Sequence, residues 1–484
     1  MSTDVIVKLK EMAADPGRVW IRGGARYADL LAETGRLANT LVALGLVRGD
    51  RLLIQVEKTE AVLSLYLACL RAGVVFLPVN PGYTATETEH FLTDAEPALV
   101  VADRPVAGAR VVTLAELMAQ AAGASADFAD PAHGPDDLAA ILYTSGTTGR
   151  SKGVMLSREN LASNAEALVG LWRFTEADVL LHALPVFHTH GLFVATNCAL
   201  YSGASLIFQA GFAPDAVLAA LPEATVMMGV PTFYSRLLAD PRLTRDRCRG
   251  MRLFISGSAP LSPATHAEWQ ERTGHAILER YGMTETNMIT SNPYEGARRA
   301  GTVGMPLPGV EVRVTGPDGA PVAQGEAGSI EVRGPNVFHG YWRLPEKTAE
   351  EFRDGWFVTG DLGAFDSQGY LSILGRAKDL VISGGLNVYP AEVEAALDDL
   401  PGVAGSAVIG VPHPDFGEAV VACVIPAKGA VVEEAVLRGA LRDRLAAFKI
   451  PKRVLVMAEF PRNAMGKVQK AELRKQNARL FVEG

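Results

Sequence analysis

The 484-residue sequence predicts an α/β protein. A large N-terminal domain of α/β sheets carries a small β-barrel subdomain and is followed by a small α+β C-terminal domain. Three observations predict it. Short apolar runs alternate with helical patterns in the first half, as in a parallel sheet with crossover helices. Over residues 302–374, strand-like pieces are separated by Gly, Pro and Asp turns, which reads as the barrel. Beyond GRAKDLVISGG the order becomes helix, strand, strand, helix.

The elements follow in order. YADLLAETGRLANTLVALG and EAVLSLYLACLRAG place apolar residues at helical spacing. RLLIQV, VVFLPV, ALVVAD and ARVVTL are short apolar runs and read as buried strands. LAAILY is another strand. After it come a hydroxyl- and glycine-rich stretch (residues 144–153), a short strand VMLS, and a helix starting after Ser157, a suitable N-cap. MRLFI is a buried strand ahead of SGSAPLS. VEVRVT, GSIEVRG and GYLSILG are the strands of the β-rich part. AEVEAALDDL and EEAVLRGALRDRLAAF read as helices, with GSAVIGV and AVVACVIP as strands between them. The domain boundary falls at residues 375–378, dividing the chain into 1–375 and 376–484.

Hydrophobic residues make up 48% of the chain, enough for a large core and too many for disorder. A net charge of −8 argues against nucleic acid, which asks for a basic face. It says little about small anions, which one lysine and a metal ion can hold. No run reaches the ~20 apolar residues of a membrane span, and the first twenty residues carry no apolar core of signal length. A cytoplasmic protein without membrane association is expected. Cys69, Cys198, Cys248 and Cys423 lie far apart with no C-x-x-C, so they read as free thiols in a reducing compartment.

The stretch TSGTTGRSKG differs from a Walker loop, because Lys152 follows Ser151 instead of Gly. A strand, not a helix, comes next. An anion there must be held by hydroxyls, backbone N–H groups and Lys152 without help from a helix dipole. A solvated Ser/Thr/Gly turn is the other reading of the stretch alone. SGSAPLS, LERYGMTETNM, GWFVTGDLG and NAMGKVQK add what a nucleotide needs. These are an aromatic face for the base, carboxylates for the ribose and for Mg²⁺, and hydroxyls and lysine for phosphates.

In that order YTSGTTGRSKGV, YGMTE, TGDLG, GRAKDLVISGG and a late GK resemble the adenylate-forming family of acyl-CoA synthetases, peptide-synthetase adenylation domains and luciferases, over nearly the whole chain. The resemblance implies ATP, Mg²⁺ and coenzyme A, and it implies roles. Thr144, Ser145, Gly146, Thr147, Thr148 and Lys152 wrap the β- and γ-phosphates. Tyr281 stacks on adenine beside Gly257, Ser258 and Ala259. Asp361 and Arg376 take the ribose hydroxyls. Thr284 holds the α-phosphate, and Glu285 with Thr144 holds magnesium. Lys467 bridges the attacking carboxylate and the α-phosphate. The C-terminal domain is a mobile lid with its hinge near Lys378. In a second pose SGGLNVYP, with Gly384 and Gly385, lines a pantetheine tunnel. Lys467 is also an acylation target in such enzymes, which implies a lysine acetyltransferase as a partner.

The acyl pocket is expected between PVFHTHGL, SGSAP and YGMTE. His-Thr-His stands where amino-acid-activating relatives carry Asp, which makes an amino acid a poor fit. Arg280 precedes Tyr281, and the alignment brings His190 near it. A buried guanidinium without a partner costs on the order of several kcal/mol. A second carboxylate on the substrate would supply the partner through a bidentate pair. VFHTHGLF and LERYGMTETNM resemble the malonyl-CoA synthetases of the family, so malonate, or methylmalonate, is the expected acid. Thr189 and Met288 then flank the carbon between the carboxylates. Alternatives stay open at this point. Arg280 could pair with Glu279, Arg236, Arg298 and Arg299 are rival cations, and His188 with His190 could share the face of a strand and bind a metal. Other classes also remain: an ATP hydrolase releasing ADP, a non-catalytic binding module, a ligase for another short acid, or a ligase acting on a separate carrier protein.

Overall fold

The computed structural model describes residues 2–144, 151–463 and 466–481. Ser145, Gly146, Thr147 and Thr148 lie outside the described residues.

Two seven-stranded sheets share one plan. The first runs Gly340–Tyr341, Lys152–Ser157, Leu138–Thr144, Val75–Pro78, Arg51–Gln55, Leu99–Ala102, Val111–Val112. The second runs Met305–Pro306, Asn287–Ser291, Leu278–Met283, Leu253–Ser256, Val226–Gly229, Val179–His182, Ser205–Phe208. In each, five strands are parallel and two antiparallel strands extend one edge. Parallel strands need both faces covered, which is why VFLP and LFIS are apolar at nearly every position and fully buried. Helix Glu60–Ala72 is buried along almost its whole length and ends at Gly73, whose φ of 73° suits a left-handed cap. The expected start after Ser157 is there: its side chain accepts from Asn160 N, and Asn160 answers with a capping box.

The β-rich part is an antiparallel unit built on one ten-residue strand, Trp356–Phe365. That strand pairs with Gly328–Arg333, Phe352–Arg353 and Leu371–Arg376, while Glu311–Thr315 adds to Gly328–Arg333. Its ladders form a branched path around that long strand. The last sheet joins Leu386–Val388, Val381–Ser383, Gly417–Pro426 and Val403–His413, with Arg453–Val456 parallel to Gly417–Pro426.

The hydrophobic cores divide along the chain. The main core unites both large sheets and draws its fully buried members from residues up to Leu371. Two smaller cores draw only on residues from Val381 onward. A large N-terminal and a small C-terminal domain therefore bury their apolar surface separately. All four cysteines are free and buried. Burial pushes the Cys69 and Cys198 thiols far above their ordinary pKa, and those of Cys248 and Cys423 up to about 11. No helix among the described residues is long and apolar enough to cross a membrane.

Candidate active site

Strands Leu278–Met283 and Asn287–Ser291 form a hairpin whose three-residue turn holds Thr284 and Glu285. Glu285 is buried, and burial raises its carboxyl pKa. The Tyr341 hydroxyl donates to its Oε1 at 3.1 Å. Lys152 reaches the same place from the first sheet. Its Nζ lies 3.8 Å over the Tyr341 ring and pairs with Glu351 at 3.2 Å. Thr144 and Lys152 are opposite each other in the same ladder. Tyr341 and Glu351 were not singled out from the sequence. Neither sits in a motif, and only the antiparallel pairing of Gly340–Tyr341 with Lys152–Ser157 brings Tyr341 here.

On the next strand position, the Tyr281 hydroxyl donates to Asp361 Oδ2 at 2.5 Å, and Arg376 pairs with Asp361 Oδ1 at 2.8 Å. Asp361 is thus held on both oxygens by the residues that the motifs grouped with it. Lys467 approaches from the small domain. It is solvent-accessible, yet the charges of Arg376, Asp361, Arg280 and Glu285 all act on it. That combination describes a side chain lining an enclosed cleft. Desolvation, then Arg376, lowers its pKa. Burial, then Lys467, pushes His188 down to about 4.

Arg280 is the distinctive group. It is 3% exposed, and its Nε and Nη2 have no hydrogen-bond partner. No carboxylate among the described residues pairs with it, and burial brings its pKa down to about 9. Glu279, the partner considered above, is its neighbour on the strand and so faces the opposite way. Glu279 is buried, and burial raises its pKa to about 8. The rival cations are elsewhere. Arg299 pairs with Asp366 at 2.7 Å, Arg298 donates to the carbonyls of Ala276 and Tyr294, and Arg236 is exposed.

Other unpartnered polar atoms gather around the guanidinium. His190 Nε2 and Thr189 Oγ1 are buried without partners, and His190 Nδ1 stands 3.3 Å from Ser258 Oγ. Burial, then Arg280, keeps the His190 imidazole neutral. The strand geometry considered for His188 and His190 is replaced by a π-helix, His190–Ala195. The backbone also approaches closely here: a Cβ on Gly191 would stand 2.1 Å from the Pro185 carbonyl oxygen. No group of three potential metal ligands occurs among the described residues, so the two histidines form no metal site there. Met288 is buried across the hairpin from Gly282.

Gly257 opens the space for Arg280. A Cβ there would lie 2.4 Å from both Cζ and Nη1 of the guanidinium. Gly257→Ala is expected to displace that group and to lower the melting temperature, in line with overpacking costs of about 1–3 kcal/mol. Scanning calorimetry measures this.

The AMP-binding enzyme family matches residues 10–342, and its C-terminal domain matches residues 392–467. The chain belongs to the AMP-binding enzyme family. Within the family, the chain is similar to MatB from Rhodopseudomonas palustris at 55% identity, over 99% of this chain and 100% of that one. The TM-score is 0.96 to ATP-bound MatB and 0.86 to apo MatB. The structure therefore superposes more closely on the ATP-bound crystal than on the apo one. A feruloyl-CoA synthase of Amycolatopsis is 38% identical, with 93% of each chain covered. A malonate–CoA ligase of Arabidopsis thaliana is 36% identical, covering 92% of this chain and 81% of the relative. The protein is an adenylate-forming acyl-CoA synthetase that uses ATP, Mg²⁺ and coenzyme A.

The residues present fit a magnesium ion of the kind that phosphates complete. Glu285 offers one buried carboxylate with a single hydroxyl donor on Oε1. Mg²⁺ commonly binds through one or two carboxylates plus substrate phosphates and waters.

Proposed function

We propose that the protein is a malonyl-CoA synthetase. It would convert malonate, or methylmalonate, with ATP and coenzyme A into the acyl-CoA, AMP and pyrophosphate. The observation that carries this reading is Arg280, buried with two unpaired nitrogen atoms beside Thr189 and His190. A distal carboxylate supplies what those donors lack. Feruloyl-sized apolar acids do not. Thr189 and Met288 would flank the central carbon, and so set tolerance for a methyl group.

In this reading Tyr281 faces adenine beside Gly257, Ser258 and Ala259, Asp361 and Arg376 take the ribose diol, and Thr284 takes the α-phosphate. Thr144, Ser145, Gly146, Thr147, Thr148 and Lys152 take the β- and γ-phosphates, with Lys152 exchanging Glu351 for them. Glu285 and Thr144 hold Mg²⁺, which neutralises phosphate charge when bound. Lys467 draws the proximal carboxylate to the α-phosphorus. The new C–O–P bond forms as the bond to pyrophosphate breaks, and Lys467 offsets the charge that builds up. The coenzyme A thiol, as thiolate, then attacks the mixed anhydride and AMP leaves.

The lid would comprise residues 376–484 and turn about Lys378, in the short helix Ala377–Asp379. Asp379 pairs with Arg474 at 2.7 Å, so the segment beyond the hinge moves with the lid. Gly384 and Gly385, both at positive φ, form a two-residue hairpin turn flanked by exposed Ile382, Leu386 and Phe416. Exposed apolar groups at a mobile tip suit a second pose in which they meet the pantetheine arm. Four buried free thiols suit a reducing cytoplasm. Acetylation of Lys467 by a lysine acetyltransferase rests on the resemblance alone.

A pyrophosphate-release screen tests the acid. Malonate is expected to exceed propionate in kcat/KM by about 10²-fold or more, since a lost partner on a buried charge costs about 2–5 kcal/mol. Equal turnover of the two would overturn the reading.

A further inference from the structure

The loop leading to Thr189 and His190 also walls a second space. A cavity of about 250 Å³ lies between the two large sheets, lined by Val56, Lys58, Val79, Pro185, Phe187 and Phe212 among others. Lys58 follows strand Arg51–Gln55 and has no acidic partner among the described residues. Its Nζ lies 3.0 Å from Nδ1 of His182 and donates to the His182 carbonyl at 2.8 Å, and it sits 4.2 Å over the Phe208 ring. Burial without a counter-ion brings its pKa down to about 7. An apolar side chain of the same length would fill the space without that cost.

The bonds of His182 continue to the acyl site. Its Nε2 is 2.9 Å from the Gly191 carbonyl oxygen, which also accepts from Thr196 Oγ1 at 3.0 Å. A carbonyl oxygen only accepts, so Nε2 carries the ring proton and Nδ1 is a bare acceptor. In this interior Lys58 is the group that donates to Nδ1. Gly191 is the second residue of the π-helix that opens on His190.

We infer that Lys58 is a positioning residue for the acid. It holds His182 in the Nε2–H tautomer, and His182 seats the π-helix that turns Thr189 and His190 toward Arg280. The inference rests on placing the acid at Arg280. Lys58 thereby links two α/β units: it belongs to the first sheet's chain segment, His182 to the second.

The test uses the full-length enzyme and the acid giving the most pyrophosphate in the screen. Lys58→Met is expected to raise KM for the acid about tenfold, the worth of one buried hydrogen bond, with KM for ATP unchanged. Lys58→Gln keeps one donor for Nδ1 and is expected to recover most of that loss. A merely structural lysine gives a lower melting temperature with both KM values unmoved, and that result overturns the inference, as does a parallel rise of both. In the wild-type enzyme, ¹⁵N spectra of the histidine rings, assigned through His182→Gln, are expected to show the proton on Nε2. A proton on Nδ1 overturns the inference even where neither lysine variant folds. Arg280→Met separates the two levels. If it leaves KM for the acid unchanged, the acid is not at Arg280; if it raises KM while Lys58→Met does not, only the role of Lys58 fails.

Discussion

An Arg280→Met enzyme is expected to lose about 10²–10³-fold in kcat/KM for malonate while melting at the same temperature as the parent or above it. The two halves of that expectation come from one fact. In the free protein the guanidinium is 3% exposed and pairs with no carboxylate among the described residues. Its desolvation is then uncompensated, and Met fills a similar volume without charge. In the proposed malonate complex the same guanidinium would be one side of a buried charge pair, and removing it costs about 2–5 kcal/mol. Propionate lacks the second carboxylate and should be turned over as well by the variant as by the parent. Malonate should raise the parent's melting temperature in the presence of nucleotide and leave the variant's unmoved. Scanning calorimetry beside pyrophosphate release reads all of this. A variant that melts well below the parent would mean that the charge was already balanced from within.

Lys467→Ala is expected to slow adenylation by about 10²-fold or more, as losing one electrostatic donor does elsewhere. Thioester formation from preformed acyl-adenylate should stay within a few-fold of the parent. The charges of Arg376, Asp361, Arg280 and Glu285 act on the ammonium. In the proposed mechanism its contribution belongs to the step in which charge builds at the α-phosphorus, and the lid would carry it away for the other step. Pyrophosphate exchange measures the first half, and coenzyme A consumption with synthetic adenylate measures the second. Collapse of both halves together would mean that Lys467 holds the structure or the nucleotide, not the reacting carboxylate.

Much of this architecture was readable from local pattern. VVFLPV and MRLFI are apolar because parallel strands are covered on both faces, and Ser157 marks a helix start because its hydroxyl accepts the Asn160 N–H. The motif residues Tyr281, Asp361 and Arg376 do meet, by hydrogen bond and ion pair. What stayed hidden depends on contacts far apart in the chain. The π-helix at His190 and the close approach of Gly191 to Pro185 leave no mark in the periodicity. Tyr341 reaches Glu285 across 56 positions, and Lys152 reaches Glu351 across 199. The isolation of Arg280 was hidden for another reason. A sequence shows which acids exist, and only the folded chain shows that none among the described residues pairs with it.

The burial of every cysteine has a practical consequence for an enzyme of this chemistry. An activated acyl group is an electrophile that any accessible thiolate can intercept. With Cys69, Cys198, Cys248 and Cys423 all enclosed and their ionisation suppressed, the catalyst offers its own product no competing nucleophilic sulfur. Self-acylation and disulfide exchange with coenzyme A are thereby disfavoured, and a colorimetric thiol count during turnover reads the free coenzyme with no background from the folded protein.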